Sequence, residues 1–128
     1  MKYQIIIPNW NQSDLCIKCL ESIQKYSKDY EIIFVDNGSD YKEFVKILRT
    51  LKDLPHKIII NKENLGFVKA VNQGIAASDS NFVVLMNNDT EAVEGWLEKL
   101  SKPLIENENC VISGSLTTTK DSWQGCYV

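Results

Sequence analysis

The sequence predicts an α/β fold, a doubly wound and mainly parallel sheet with helices on both faces. Strand-like and helix-like segments alternate along the chain with short loops between them, which is the order of a doubly wound layer. The strand-like segments are solid apolar runs such as Ile5–Ile7 and Ile32–Val35. Runs of that kind are typical of strands that are buried on both faces of a parallel sheet.

Local patterns set the bounds of each predicted element. Strands are predicted over residues 3–7, 30–35, 57–61 and 82–86, with a fifth over 110–113. Helices are predicted over residues 13–26, 41–51, 67–77 and 91–105. Pro8 is expected to stop the first strand. Ser13 supplies an N-cap and Asp14 a first-turn acid for the first helix.

Length and composition indicate one globular domain over residues 1–128. The net charge of −3 and the lack of a basic run argue against a nucleic-acid partner. The apolar runs are too short for a transmembrane segment, and the N-terminus does not match an export signal. We therefore expect a cytoplasmic protein. The polar residues 114–128 match no element.

Cys16 and Cys19 form a C-x-x-C pair, which raises the possibility of a redox or zinc site. Both cysteines lie within the pattern of the first helix, on the apolar face with Leu20. A free cysteine packs like a small hydrophobic residue. We therefore expect reduced, buried thiols that serve the core.

In a doubly wound sheet the ligand binds outside the carboxyl ends of the strands. Four polar segments follow the predicted strands: residues 8–11, 36–39, 62–66 and 87–90. None of them matches a phosphate-binding glycine loop. A phosphate ligand would then need a divalent cation, which one or two carboxylates can hold together with the phosphates themselves. Asp89 stands directly after the fourth strand and is the candidate for that role.

Each of these residues also has a plain structural interpretation. Asp89 precedes a predicted helix and fits an N-cap. Asp36 begins an Asp-Asn-Gly sequence, which is a strong turn signal. The Asn64–Gly66 segment fits a simple loop with a left-handed glycine.

Four sequence blocks resemble those of the family 2 glycosyltransferases, which have the GT-A fold, a Rossmann-like α/β architecture. The blocks are Ile5-Ile-Ile-Pro-Asn-Trp-Asn11, Tyr30-Glu-Ile-Ile-Phe-Val-Asp-Asn-Gly-Ser39, Glu63-Asn-Leu-Gly-Phe67 with Asn72-Gln-Gly-Ile75, and Leu85-Met-Asn-Asn-Asp-Thr90 with Trp96-Leu97. Each block is weak alone, but the ordered set is specific and covers residues 3 to about 100.

The resemblance implies a role for each matching position. Pro8, Asn9 and Trp10 would line a base pocket, in which Asp36 accepts the imide N–H of uracil or thymine. Asn64 and Gly66 would border the nucleotide, and Lys69 would approach a phosphate, although a lysine there is more often simply solvated. Asn87, Asn88 and Asp89 occupy the place of the family's Asp-x-Asp element, with Asn88 near the ribose and Asp89 binding Mg²⁺ or Mn²⁺. Two positions depart from the pattern, Asn87 for an acid and Trp10 for the commoner tyrosine.

The resemblance further implies an inverting transfer of sugar from a UDP- or dTDP-sugar to an acceptor hydroxyl. The acceptor would be a carbohydrate, glycolipid or glycoprotein, as in polysaccharide biosynthesis. The catalytic base is unknown and is expected beyond Val128. By this resemblance residues 1–128 form the nucleotide-sugar-binding, N-terminal half of a catalytic domain, and the fold is expected to be incomplete at its C-terminus. A cytoplasmic location at the inner face of the membrane would suit such a reaction, and both peripheral membrane contact and self-association stay open.

Three other classes of protein share part of this pattern. A receiver domain needs an acid pair after the first strand and an aspartate after the third, where this chain has Asn9-Trp-Asn11 and Asn61. A sugar-nucleotide pyrophosphorylase needs a basic, glycine-rich loop after the first strand, which is absent from residues 8–11. A binding module that holds the donor without transferring sugar is not excluded by the sequence.

Overall fold

The computed structural model describes residues 2–115 and places four parallel strands in one sheet. The strands are β1 (Tyr3–Asn9), β2 (Tyr30–Asp36), β3 (His56–Ile60) and β4 (Phe82–Leu85). The helices are α1 (Ser13–Tyr26), α2 (Tyr41–Leu51), α3 (Phe67–Ala76) and α4 (Trp96–Glu106). The strand order is β3-β2-β1-β4, so β1 is hydrogen-bonded on both sides.

The sheet lies in the first of two compact units, Met1–Glu94, and α4 lies in the second, which begins at Gly95. The prediction of a single domain over residues 1–128 stays a prediction. None of the four helices in the described part combines the length and the apolarity that crossing a bilayer requires.

Helices cover both faces of the sheet, as predicted. On one face α3 packs on β1 and β2, and its Ala70 joins a buried cluster with Ile6, Ile33 and Val35. The alternate residues of the same strands, such as Ile5 and Phe34, point the other way and are also fully buried. Right-handed crossovers place α1 and α2, which pack on each other, on that second face.

Strand β1 does not stop at Pro8 as predicted, but continues to Asn9, which pairs with Asp36. The carbonyl of Ile6 accepts a hydrogen bond from the backbone N–H of Met86. The backbone polar groups of residue 6, and of residue 8 two positions later, therefore point toward the β4 side. The register with β4 ends at Leu85, opposite Ile6. The missing N–H of Pro8 therefore removes no bond from the ladder, which is the condition for proline in a strand.

The start of α1 also differs from the prediction. Gln12, in a left-handed conformation, is the N-cap, and Ser13 is the first helical residue. The Ser13 backbone N–H donates to the Glu43 carboxylate of α2 at 2.9 Å. Hydrogen bonds from Ser13, with a smaller contribution from Lys46, lower the pKa of the Glu43 carboxyl. A side chain from the neighbouring helix thus replaces the local cap.

Two predicted elements near the end of the described chain are corrected. The helix expected over residues 91–105 begins only at Trp96, with Gly95 as its N-cap. The backbone N–H of Ala92 donates instead to the Ser22 hydroxyl on α1, at 2.8 Å. The strand expected over residues 110–113 is not a strand, and both Val111 and Ile112 are exposed.

The edge strand β4 leaves Val83 and Leu85 exposed on the side of the sheet that carries α3. An uncovered apolar edge favours pairing with another chain. The expectation of self-association rests on this edge and stays a prediction.

Gly74 lets α3 approach the sheet closely, because a Cβ there would overlap with Cγ2 of Ile6. We expect Gly74→Ala to lower the free energy of unfolding by about 1–3 kcal/mol through overpacking, although alanine is the better helix former. Urea unfolding measures the change. Gly114→Ala is the control, since no atom of the described residues, apart from its chain neighbours, lies within 4 Å of the added Cβ. A Gly74→Ala protein as stable as the parent would contradict the close approach.

Candidate functional site

The carboxyl ends of the strands bring the predicted site segments to one edge of the sheet. Asn9 ends β1 and Asp36 ends β2, and the two are paired in the register. Residues 87–89 follow β4, which lies on the other side of β1. The order β3-β2-β1-β4 reverses at β1 and β4, and such a switch point opens the crevice in which doubly wound sheets bind ligands.

The Asp36 side chain is buried and held by three donors. Its Oδ1 accepts from the Ser39 hydroxyl at 2.6 Å and from Asn9 Nδ2 at 3.2 Å. Its Oδ2 accepts from the Ser39 backbone N–H at 3.0 Å. A carboxylate has roughly four lone-pair sites, so one acceptor position, on Oδ2, is left by these three bonds. The orientation of the carboxylate is fixed by the protein before any ligand binds.

Asn9 links Asp36 to the loop that follows β4. Its side chain is buried, and its Oδ1 accepts from Asn88 Nδ2 at 2.9 Å. Its Nδ2 donates to Asp36, as above, and also to the Ser39 hydroxyl at 3.2 Å. Three of the predicted site residues, Asn9, Asp36 and Asn88, therefore lie in one chain of hydrogen bonds across the ends of β2, β1 and β4.

A second network holds the loop after β3 against the loop after β2. Buried Asn37 donates from Nδ2 to Asn64 Oδ1 at 2.9 Å and to the Gly66 carbonyl at 3.2 Å. Its Oδ1 accepts from the Leu65 backbone at 2.9 Å and from Asn61 Nδ2 at 3.2 Å. The predicted residues Asn64 and Gly66 are thus placed by a side chain next to Asp36 in the sequence.

Gly38 permits the two loops to touch. Its φ is +78°, in the region that favours glycine. An added Cβ would lie 2.7 Å from the Cα of Glu63 and 2.8 Å from its carbonyl carbon. Both atoms belong to the backbone and cannot rotate away. Gly38 is therefore required both for its conformation and for the space that it leaves.

Asp89 is exposed in a turn, and the structure removes its alternative interpretation as a helix cap. The next helix starts at Trp96 and is capped by Gly95. The turn itself is closed by Thr90, whose hydroxyl donates to the Asn87 carbonyl at 2.7 Å. The Cys19 thiol of α1 lies beneath it, 3.7 Å from the same carbonyl.

Burial is the main reason why the pKa of the Cys19 thiol is raised to about 12, and the nearby Asp89 carboxylate raises it further. Burial likewise raises the pKa of Cys16. Both thiols lie on the buried side of α1, as the sequence predicted. They are protonated packing groups at neutral pH.

The other predicted site residues flank these networks. Pro8 is half-buried beside Asn9, whereas Trp10 is 52% exposed. Lys69 is exposed in the first turn of α3, which begins directly after Gly66. A lysine there lies near the positive end of the helix, where anions are stabilised.

Shape alone would point to a different part of the molecule. A cavity of about 380 Å³ lies beside the second half of α1 and contains none of the predicted site residues; its lining is Lys18, Glu21, Ser22, Lys25, Tyr26, Glu91 and Ala92. Its charged groups are of both signs and largely exposed. The ordered, buried polar groups are at the strand ends, so we place the site there.

Four residues of the site were not assigned individual roles from the sequence. They are Asn37, Ser39, Asn61 and Gln73, of which the last two form a reciprocal amide pair at 2.7 and 2.8 Å. Asn37 and Ser39 were visible only as members of a turn sequence. The signal that could have found them is the number of amides concentrated at strand ends, where buried amides need partners.

Comparison with known proteins places these features in a family. The model of the family described as "Glycosyl transferase family 2" matches residues 4–126. Glycosyltransferase GlyA of Streptococcus pneumoniae serotype 4 is 29% identical over 124 residues, which cover 94% of this chain and 18% of that protein. Glycosyltransferase AglE of Haloferax volcanii is 34% identical over 100 residues, 74% of this chain and 33% of that protein. The chain thus spans a third or less of these curated relatives.

Solved structures share the fold at lower sequence identity. Staphylococcus aureus TarS 1-349 in complex with UDP-GlcNAc aligns with a TM-score of 0.74 and 20% identity, over 84% of this chain and 32% of that one. The mannosyltransferase PcManGT of Pyrobaculum calidifontis, in complex with GDP-Man and Mn²⁺, gives a TM-score of 0.72 and 20% identity, over 79% and 31%. These likenesses confirm the predicted α/β, GT-A-like fold.

The contact at Gly38 yields a test of the site's architecture. We expect Gly38→Ala to lower the free energy of unfolding by roughly 1–3 kcal/mol, the usual cost of a strained backbone position. It should also raise amide hydrogen exchange in residues 61–66, because the two loops must separate. Gly114→Ala is again the matched control. Unchanged exchange in residues 61–66 would show that the loops do not depend on this contact.

Proposed function

Because this chain belongs to glycosyl transferase family 2, we propose that it binds a UDP- or dTDP-sugar at the carboxyl edge of its sheet. The observation that carries this proposal is the buried Asp36 carboxylate, fixed by Asn9 and Ser39 with one acceptor position left over. Uracil and thymine each present one imide N–H between two carbonyl oxygens. A single fixed carboxylate oxygen is complementary to that N–H.

The surroundings of Asp36 support a nucleotide as the ligand. Trp10 offers an aromatic face, and stacking of a base on such a face contributes about 1–3 kcal/mol. Pro8 and Asn9 continue the same wall, and Asn64 and Gly66 form the opposite border in this proposal. Asn88, tied to Asn9 at 2.9 Å, would lie near the ribose, and Lys69 near the phosphates.

The residues of the edge could hold a divalent cation only if the phosphates of the bound ligand also coordinate it. Within residues 2–115 no group of three or more His, Cys, Asp or Glu side chains is arranged to hold a metal ion. Asp89 is exposed at the switch point and, with Asn87, offers oxygen ligands. Mg²⁺ characteristically binds one or two carboxylates, substrate phosphates and water. We therefore propose that Asp89 holds Mg²⁺ or Mn²⁺ on the donor diphosphate, where the ion would offset the negative charge of the leaving group.

The proposed reaction is an inverting transfer to an acceptor hydroxyl of a carbohydrate, glycolipid or glycoprotein. In such a reaction the hydroxyl oxygen attacks the anomeric carbon, the bond to the diphosphate breaks, and a base takes the hydroxyl proton. No described side chain is assigned as that base. In this proposal the described residues bind and orient the donor. Polysaccharide biosynthesis at the cytoplasmic face of the membrane is the proposed setting.

A second proposal, from a different class, is a donor-binding module without transfer activity. It is supported by the lack, among the described residues, of a side chain that is assigned as the catalytic base. Sugar transfer to an acceptor, measured beside nucleotide binding, separates the two proposals. Binding with no turnover would favour the module.

We expect Asp36→Ala to weaken UDP and dTDP binding by about 1.5–3 kcal/mol, the contribution of a hydrogen bond to a charged group. Isothermal titration with UDP, dTDP, GDP and ADP measures the affinities, and the parent protein should prefer the two pyrimidines. Asp53→Ala is the matched control, because it removes the same charge from an exposed turn after α2. Circular dichroism verifies folding. Equal UDP affinity in Asp36→Ala and the parent would refute the assignment.

We expect Mn²⁺ or Mg²⁺ to strengthen UDP binding to the parent, and Asp89→Asn to remove this gain. The asparagine keeps the shape of the side chain but lacks the charge that the cation requires. Glu91→Gln is the matched control, since it neutralises an exposed acid two residues away in the sequence. Nucleotide titrations with metal and with EDTA give the comparison. If EDTA leaves the affinity of the parent unchanged, Asp89 is not a metal ligand.

A further inference from the structure

We propose that Asn9 is a positioning residue that couples the base subsite at Asp36 to the diphosphate subsite at Asn88 and Asp89. This inference rests on the function proposed above. It assigns Asn9 a task beyond lining the pocket: the binding of metal at one subsite strengthens the binding of the base at the other. We name the hydrogen-bonded chain Asp36–Asn9–Asn88 the polar bridge.

In the described sheet Asn9 ends β1, the strand that lies between the two subsites. Within the described sheet β2 and β4 are not neighbours, because β1 lies between them. Asn9 is the last residue of β1 and is 2% exposed. Its backbone carbonyl also accepts from the Asn37 N–H at 2.7 Å, which ties its main chain to the loop after β2. A movement of either loop must be accommodated at Asn9.

The charge of Asp36 fixes the direction of the polar bridge. The amide NH₂ of Asn9 must face the carboxylate, since a rotation by 180° would place its oxygen against Oδ1 of Asp36. The amide oxygen of Asn9 then faces Asn88, which can bond to it only by donating from its own NH₂ group. The oxygen of Asn88 is thereby directed away from Asn9. The orientation of a side chain beside Asp89 is thus set by a carboxylate on another strand.

The Asn9 NH₂ group contacts both of the groups that hold the Asp36 carboxylate. Asp36 Oδ1 and the Ser39 hydroxyl oxygen each lie 3.2 Å from Asn9 Nδ2 and only 2.6 Å from each other, so one hydrogen is shared between them. A change at Asn9 therefore affects Asp36 both directly and through Ser39. A buried amide with this set of partners acts through the groups that it orients.

The test is the coupling between metal and nucleotide, measured as the ratio of the UDP dissociation constants without and with Mn²⁺. We expect this ratio, several-fold or more in the parent, to fall to within about twofold of one in Asn9→Leu. Asn9→Ala is the second variant in case the leucine cannot be accommodated. Gln4→Leu is the matched control, because Gln4 is a fully buried amide at the opposite end of the same strand, bonded to Glu31, Asp79 and Ser80.

Loss of a buried amide lowers stability in all three variants, so stability does not distinguish them, but the coupling ratio does. Gln4→Leu should keep the parent's ratio. The proposal is overturned if the Asn9 variants keep that ratio within twofold, or if Gln4→Leu loses it equally. A parent protein whose UDP binding ignores Mn²⁺, or ignores Asp36→Ala, overturns the proposed function and the coupling with it.

The unliganded protein offers a separate readout. The side-chain NH₂ signals of Asn88 in a nitrogen–proton correlation spectrum should shift when Asp36 is replaced by Asn. The same replacement in an Asn9→Ala background should leave them in place. Equal shifts in both backgrounds would show that Asn9 does not transmit the change, whatever the protein binds.

Discussion

The site depends on one constraint, the parallel pairing of β1 with strands on both of its sides. Parallel pairing sends the carboxyl ends of β2, β1 and β4 to the same edge of the sheet. Segments that are far apart in the sequence, at residues 9, 36 and 88, thereby come within hydrogen-bonding distance. The buried isoleucines of β1 stabilise the sheet, and this keeps the polar side chains of the edge within hydrogen-bonding distance of one another. A slip of one residue between β1 and β2 would put Asn9 and Asp36 on opposite faces of the sheet.

The edge is built from amides around a single buried acid. Asn9, Asn37, Asn61, Asn64 and Asn88 provide both donors and acceptors without adding charge. An anionic ligand is repelled by carboxylates at short range, and every acid that is replaced by an amide removes such a repulsion. Asn87, which stands where the family pattern has an acid, likewise replaces a negative charge with a neutral amide. At this edge neutral side chains make most of the hydrogen bonds, and the proposed site uses only two acids, Asp36 and Asp89.

The repeating patterns of the chain predicted most of the fold, because burial of apolar residues decides where strands and helices form. The four strands and the first three helices lie within two residues of their predicted bounds. The errors occurred where distant contacts decide. Glu43 caps α1 from another helix. The backbone N–H of Ala92 donates to the Ser22 hydroxyl, and Ala92 lies outside α4. Residues 110–113 pair with no strand of the described sheet. No local pattern contains these partners.

The site was predicted less completely than the fold. Strand-end placement and resemblance singled out Asp36 and Asp89, but neither shows which side chains are tied together. The link from Asn88 to Asn9 spans 79 positions, and that from Gln73 to Asn61 spans 12. Such pairs follow from the strand order, which the alternation of strands and helices leaves open.

The two thiols of α1 offer a consequence of a practical kind. A thiol reacts with alkylating reagents as its thiolate, and burial suppresses that form in Cys16 and Cys19. Cys19 lies directly beneath the loop that carries Asp89. Its alkylation therefore has to wait for α1 and that loop to separate. The rate of labelling therefore reports how often the edge opens, and a bound ligand that bridges the strand ends would lower this rate.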